Sequence, residues 1–388
     1  MFASIIAALI MQAAEPAETV TISDAIRAVE AQDYERAFSI AEEYAAAGSP
    51  DGQHLLGHLY ANGLGVQKDV AKAVEHYVSA AKAGQVNAQF ALGELAYTGE
   101  GAKQDWQRAA EWFNLAAAQG HMLAKTRLAY MYSEGQSVPQ DMQRAAALFK
   151  EAAAAGVPAA QYHLALLYLE GNGMTKDLQE AAHWFELAAK NGDADSMYNL
   201  ALMLEAGRIT GEPDYVTAVN WMRQAARAGV LPAKTSMGLF AYNGRGMERN
   251  EAEALKWFRA SAEDGDAEGM FLYAVGLSEG LGGRRDFNEA LRWAEKSLEQ
   301  SYSQSPQSVQ ERIALRDQLR DILARQRLLA ERQQTDEVIR SAQSVSLFSQ
   351  PVTPPPTRPA AEPQAPTATI ASQSEEPDTV RRRRGLRR

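Results

Sequence analysis

Residues 56–65 read Leu56-Gly57-His58-Leu59-Tyr60-Ala61-Asn62-Gly63-Leu64-Gly65, and this stretch returns along much of the chain. The same frame stands 36 residues later, from Leu92-Gly93 to Gly101. One later step is 37 residues long, because an extra residue enters near Gly211–Pro213. The first glycine of the frame forms the series Gly63, Gly99, Gly135, Gly171, Gly207, Gly244 and Gly280. Self-similarity at such a period is typical of solenoids built from stacked units.

Two kinds of residue mark helix boundaries within each repeat. The glycine series follows an apolar helical stretch, and glycine adopts the positive φ of a helix end without steric cost. Further along each repeat comes Asp or Asn, the side chains preferred at a helix N-cap, so a second helix is predicted to begin there. These residues are Asp69, Asp105, Asp141, Asp177, Asp214, Asn250 and Asp286. Glu180, Glu253 and Glu289 follow three residues later and are candidates for capping boxes.

The second helix of each repeat carries a stripe of small, large and small side chains. In the first repeat these are Ala73, Tyr77 and Ala81, whose i, i+4, i+8 spacing places them on one helix face. The helix then ends at a glycine in six repeats, and Ser301 breaks this series, which predicts the end of the array. A single helix pair cannot bury both of its apolar faces, so stacked copies are expected to stabilise one another.

These motifs resemble a known repeat family. The frame Leu-Gly-x-x-Tyr-x-x-Gly-x-Gly, then Asp, then Ala-x-x-Trp-Phe-x-x-Ala-Ala, then Gly is similar to the Sel-one-like repeat (SLR) family, a branch of the tetratricopeptide superfamily. The resemblance covers residues 51–301 in seven repeats. It implies an all-α, right-handed superhelical solenoid of helix pairs whose concave face holds protein partners. It also implies a role as an exported adaptor or a regulator of signalling, as in many bacterial members. Some members carry a disulfide in each repeat, whereas this chain has no cysteine.

The repeats are flanked by helical segments of another character. Residues 15–50 are predicted to form an N-terminal helical cap, with Ser23 capping one helix and Asp33 the next. Residues 305–342 are predicted to form one long amphipathic helix, with Leu319 and Leu329 on its apolar face. Polar residues interrupt that face, so a sustained coiled coil is not expected.

The first 14 residues are predicted to be a signal peptide. The apolar run Phe2–Met11 is too short to span a bilayer as a helix, and Ala13 and Ala14 lie where a cleavage site is expected. This places the protein in the periplasm or outside the cell. No Lys or Arg precedes the run, and the alternative is a helix that packs onto the solenoid of a cytoplasmic protein.

Residues 343–388 form a Pro/Ser-rich tail, which is predicted to remain disordered because it has too little apolar surface to fold. The tail ends in the basic residues Arg381, Arg382, Arg383, Arg384, Arg387 and Arg388. The chain as a whole carries a net charge of −10. The basic end is therefore a candidate for binding anionic lipid, nucleic acid or an acidic protein. The alternatives are a solvated tail or one that folds back on the acidic body.

No residue pattern predicts catalysis or a cofactor. The absence of cysteine excludes thiolate chemistry, zinc fingers and iron–sulfur clusters. His54 and His58 are four residues apart and present two metal ligands without a third, and the other histidines stand singly. The Gly-x-Gly pairs lie in turns between helices and do not open a phosphate-binding loop. The chain is therefore predicted to be non-enzymatic, with no metal, no cofactor and no small-molecule substrate.

The concave groove is the candidate site for an unidentified protein partner. The tetratricopeptide alignment places the first helix of each repeat along the groove. The inward side chains singled out for partner binding are His54, His58, Phe90, Tyr130, Tyr162, Tyr198 and Phe271. Aromatic side chains are frequent anchors in such interfaces. The alternative, that these rings pack between repeats, stays open.

Two functions follow from this interpretation. The first is a non-enzymatic adaptor or regulator in the bacterial cell envelope that holds a protein on its concave face. The alternative is an intracellular scaffold whose Arg-rich tail binds nucleic acid or an anionic membrane. The mature N-terminus distinguishes them, because only an exported protein loses residues 1–14.

Overall fold

The computed structural model describes residues 20–101, 103–300 and 305–347, and all regular structure in these ranges is α-helical. The predicted signal peptide and residues 348–388 of the tail lie outside the described residues. An N-terminal pair comprises α1, Ile22–Glu30, and α2, Tyr34–Ala46. The repeats follow with α3 Pro50–Asn62, α4 Val70–Lys82, α5 Val86–Thr98, α6 Trp106–Ala118, α7 Met122–Glu134, α8 Met142–Ala154, α9 Pro158–Glu170, α10 Leu178–Lys190, α11 Ala194–Glu205, α12 Tyr215–Arg227, α13 Leu231–Asn243, α14 Glu251–Glu263, α15 Ala267–Glu279 and α16 Phe287–Glu299. The last helix is α17, Pro306–Leu347.

The helix boundaries fall where the repeat motif predicts them. Asp69 Oδ1 accepts a hydrogen bond from the backbone N–H of Lys72 at 3.0 Å, and the equivalent residue caps the second helix of every repeat. Gly63 ends α3 in the left-handed conformation, with φ of 69°. The fifth repeat differs, since Ala206 is the C-cap of α11 and Gly207 follows it. This is the repeat whose loop carries the extra residue.

The predicted cap at Ser23 and the three predicted capping boxes at Glu180, Glu253 and Glu289 are wrong. Ser23 lies inside α1, which is capped instead by Thr21, whose N–H donates to Asp24 Oδ2 at 2.7 Å. Glu180 was expected to bond back to a helix start. It accepts instead from the indole N–H of Trp184 at 3.1 Å. The same Glu–Trp bond recurs in α14 and α16, because a tryptophan stands one turn after each of these glutamates.

In five of the seven repeat cores a ring of the second helix packs on a small residue of the first helix, and Met222 and Ala294 take the place of the ring in the other two. Phe113 is fully buried, and a Cβ atom built on Gly93 would lie 2.5 Å from its ring. Tyr77 meets Gly57 in the same way, at 2.6 Å. Where glycine is missing from this place, alanine replaces it and is buried, as at Ala129. The Leu-Gly pair of the motif thus serves the contact between helices.

The first part of α17 covers the last repeat. Leu319 is buried against Ala290 and Ala294. Arg312 is fully buried, and its Nε donates to Ser297 Oγ at 2.6 Å. Its Nη2 donates to Glu268 Oε2 at 2.7 Å, so the buried charge is paired. The predicted long C-terminal helix is confirmed.

Residues from Gln326 onward form a second compact unit. Its described part is the C-terminal part of α17, and the side chains described there, residues 326–341, are exposed. Leu329, predicted on the apolar face, is among them.

Replacement of Gly93 by leucine tests the ring contact. We expect Gly93→Leu to lower the free energy of unfolding by about 1–3 kcal/mol, because the new side chain overlaps the Phe113 ring. The measurement is the denaturant midpoint followed by circular dichroism. Ala118→Leu, at an exposed position of α6, is the control and should stay within about 0.5 kcal/mol of wild type. Equal midpoints for the two variants would contradict the proposed packing.

Candidate partner-binding groove

The predicted groove residues lie along the first helices of the repeats and are all half-buried. Three of them pack on the core ring of their own repeat. The ring centroids are 5.8 Å apart for His54 and Tyr77 and 5.8 Å apart for Phe90 and Phe113. For Tyr162 and Phe185 the distance is 6.0 Å. Each of these rings therefore has one side against the core and another accessible to solvent, and packing fixes its position.

Two other predicted residues contact neighbours along the groove. His58 Nδ1 lies 3.3 Å from Asn62 Nδ2, one turn further along α3. The ring of Tyr130 lies 5.8 Å from the imidazole of His163, which belongs to the next repeat. These contacts join neighbouring side chains on the surface of the groove. They do not test partner binding.

The C-terminal end of the predicted groove is occupied by the chain itself. The guanidinium carbon of Arg312 lies 5.2 Å from the centre of the Phe271 ring, so α17 lies over this position. Tyr198, two repeats earlier, has no such cover among the contacts described. Burial raises the pKa of Tyr198, and a hydrogen bond with Ser236 opposes that shift. Part of the predicted groove is therefore covered at its C-terminal end.

An apolar strip runs through the middle of the groove. Tyr162 and Leu166 lie on α9, Tyr198 and Leu202 lie on α11, and all four are half-buried. Leu239 continues the strip on α13 and is 40% exposed. Aromatic and aliphatic side chains held by the core behind them can anchor a partner at little cost in conformational entropy.

Sequence reasoning missed the histidine at the centre of this region. The imidazole of His163 stacks on Phe149 at 5.0 Å and lies 5.2 Å from the ring of Tyr162. Burial lowers the pKa of His163, and the carboxylates of Asp193 and Glu134 oppose that shift. His163 occupies the same position of the repeat as Arg127 in the preceding copy. A comparison of these two repeats would have shown that the side-chain type changes at this position.

The structure adds no metal site to the groove within the residues it describes. No group of three or more His, Cys, Asp or Glu side chains there is arranged to hold a metal ion. Nor is any described helix both long and apolar enough to cross a membrane. The Arg-rich end, Arg381–Arg384 with Arg387 and Arg388, lies outside the described residues.

Stacked helix pairs define an α-solenoid of the tetratricopeptide type. The chain belongs to the Sel1 repeat family, whose model matches residues 50–85, 86–121, 123–157, 158–193, 194–230, 232–266 and 267–302. Proteins of this family typically mediate protein–protein interaction, and the repeat is generally a non-catalytic scaffold. The predicted all-α solenoid and its family are thus confirmed.

Two solved structures are similar to this chain. A Sel1 repeat protein from Oxalobacter formigenes is 30% identical with a TM-score of 0.57, and the match covers 63% of this chain and 99% of that one. A protective antigen present in uropathogenic Escherichia coli strains, which displays an SLR fold, is 27% identical with a TM-score of 0.55. That match covers 73% of this chain and 69% of the antigen. No curated protein matches the chain in sequence.

Burial of His163 predicts a pH dependence of stability. Because its pKa in the folded protein lies below the usual 6.5, protonation favours the unfolded chain. This contribution to stability is fully present above about pH 6.5 and is lost as the pH falls through the folded-state pKa. We expect His163→Asn, which introduces the residue found at this place in the next repeat as Asn199, to reduce the stability loss between about pH 7 and pH 5. The measurement is urea unfolding at both pH values.

The exposed His183 provides the control for this measurement. His183→Asn should retain the stability loss of the wild-type protein. If His163→Asn and wild type lose stability equally, burial of His163 does not contribute to the pH dependence.

Proposed function

We propose that this protein is a non-enzymatic adaptor or regulator in the bacterial cell envelope that holds a protein partner on the groove lined by its first helices. The apolar strip from Tyr162 to Leu239 is the observation that carries the proposal. It combines accessible surface with side chains that the repeat cores hold in place, as the contact of Tyr162 with Phe185 illustrates. A partner docking there would pay little of the ordering entropy that weakens flexible interfaces.

The envelope location rests on the N-terminal sequence. The apolar run Phe2–Met11, followed by Ala13 and Ala14, matches the hydrophobic core and cleavage region of a secretory signal. Export would restrict the partners to proteins of the envelope. The basic tail is a second, separate contact surface in this proposal, for which an anionic partner is the expected chemistry.

Truncation of two anchors tests the groove. We expect Tyr162→Ala combined with Tyr198→Ala to weaken capture of a cross-linked partner from an envelope extract at least about tenfold, because two aromatic anchors are removed. The measurement is quantitative mass spectrometry of the captured proteins, with circular dichroism to confirm that helicity survives.

A matched double variant on the second helices controls for the loss of exposed apolar surface. Leu115 on α6 and Val216 on α12 are 50% and 63% exposed. Leu115→Ala with Val216→Ala should capture the same partner as wild type. Full capture by the tyrosine variant would rule out the groove assignment.

The mass of the mature protein tests the location. We expect the protein purified from its native host to lack about 14 residues, because signal peptidase removes a secretory signal on export. Intact-mass spectrometry measures this directly. A mass that retains Phe2–Ala14 would place the protein inside the cell and make the Arg-rich tail the leading candidate for partner binding.

A further inference from the structure

A cavity opens between two consecutive first helices, α7 and α9, and is called here the α7–α9 slot. Its volume is about 490 Å³, and Glu134 and Glu170 lie among the residues that line it. Phe149, His163 and Leu167 also line it. Two carboxylates beside the half-buried His163 and Leu166 form a setting that fits a cationic side chain with a partly apolar stem.

The preceding slot, between α5 and α7, shows what such a place accommodates. Arg127 on α7 donates from Nε and Nη2 to the two carboxylate oxygens of Glu94 on α5, at 2.7 and 2.9 Å. Its guanidinium carbon lies 5.8 Å from the centre of the Tyr97 ring. The hydroxyl of Tyr97 donates to Gln136 Oε1 at 3.3 Å and bridges the same gap. The chain thus fills this slot with its own arginine.

A second slot, between α11 and α13, is also bridged from within the chain. Arg245 and Glu205 form an ion pair at 3.6 Å. The cavity that remains beside them measures about 80 Å³, far less than the α7–α9 slot. An arginine–glutamate pair therefore occurs at two places along the array, once between two first helices and once between α11 and the turn that follows α13.

The α7–α9 slot has neither an arginine–glutamate pair nor a counterpart of Tyr97, and the contact between its two first helices at this level is that of the Tyr130 and His163 rings, 5.8 Å apart. At the places of Glu94 and Arg127, the next repeat has Tyr130 and His163. The place of Tyr97 is taken by Ser133, whose hydroxyl donates to the carbonyl of Tyr130 in its own helix at 2.8 Å. A serine is too short to cross the gap, so the slot stays open.

The carboxylates of the α7–α9 slot have no cation of their own. Neither Glu134 nor Glu170 forms an ion pair with any residue in the described ranges. Glu170 accepts one hydrogen bond, from Asn172 Nδ2 at 2.5 Å. Both side chains are exposed, so their charges are available to a ligand.

We propose that the α7–α9 slot binds an arginine side chain of the partner protein, in the way that Arg127 fills the preceding slot. The inference rests on the proposed function and specifies the partner's chemistry at one position. The guanidinium pairs with Glu134 and Glu170, and its planar face lies against the ring of His163, which Phe149 supports from the core side. Tyr162 and Leu166 continue the contact with apolar residues of the same partner.

The test is a titration of the full chain carrying ¹³C-methyl methionine, because Met142 lines the slot and its methyl group reports on occupancy. The probes are the blocked peptide acetyl-Gly-Gly-Arg-Gly-Gly-amide and its citrulline counterpart, which is neutral and of similar shape. We expect the arginine peptide to shift the Met142 signal saturably and the citrulline peptide to leave it in place. An unmoved signal, or equal shifts by both peptides, would overturn the proposal.

Two variants locate the effect. Glu134→Gln combined with Glu170→Gln should lower the affinity of the protein for the arginine peptide at least about fivefold, because two charge-assisted contacts are lost. Glu75→Gln with Glu111→Gln removes two exposed carboxylates on α4 and α6 and should leave the affinity unchanged. Equal weakening by both double variants would show non-specific attraction by the acidic surface and sink the slot assignment.

A third variant fills the slot from within. Tyr130→Glu with His163→Arg reproduces the Glu94–Arg127 pair one repeat later and should abolish the response of Met142 to the peptide. Capture of the partner from an envelope extract distinguishes a failure of this inference from a failure of the proposed function. If Glu134→Gln with Glu170→Gln retains the partner while the double tyrosine variant loses it, the slot inference is wrong and the groove function stands.

Discussion

The structure depends on one contact that recurs in five of the seven repeats: a ring of the second helix lying on a small residue of the first. Phe113 on Gly93 brings the two helices close enough to exclude water, and the alanines of the flanking stripe let the next pair approach. Because each repeat completes its core only with its neighbours, stability is shared along the array. The same contact fixes the groove, since Phe90 and Tyr162 rest on these rings.

Most of the fold could be predicted from the sequence because its determinants are local and repeated seven times. An aspartate such as Asp69 caps the helix that begins beside it, and a glycine such as Gly63 ends the one before it, so spacing alone locates both. The exceptions have physical causes. Glu180 was assigned to a capping box, but the indole of Trp184 lies one turn away and offers a competing donor.

The groove could be predicted only in outline. Spacing shows which face of a helix a side chain occupies, but it does not show how far a ring such as Tyr162 is covered by the core. Contacts between repeats are harder to predict, because the repeat motif does not specify which residue of the next repeat a side chain will meet. The bridge from Arg127 to Glu94, and its absence one repeat later, emerge only when the repeats are stacked. The features that distinguish one repeat from the next therefore lie in departures from the consensus.

The buried Arg312 has a consequence for how such an array changes in length. Its bonds to Ser297 and Glu268, together with Leu319, occupy the face that an eighth repeat would need. A duplicated repeat inserted within the array meets the same neighbours as its parent, whereas one appended after Glu299 meets a surface already taken. The last repeat and the first part of α17 therefore form one packing unit, and an eighth repeat after Glu299 would have to displace that helix.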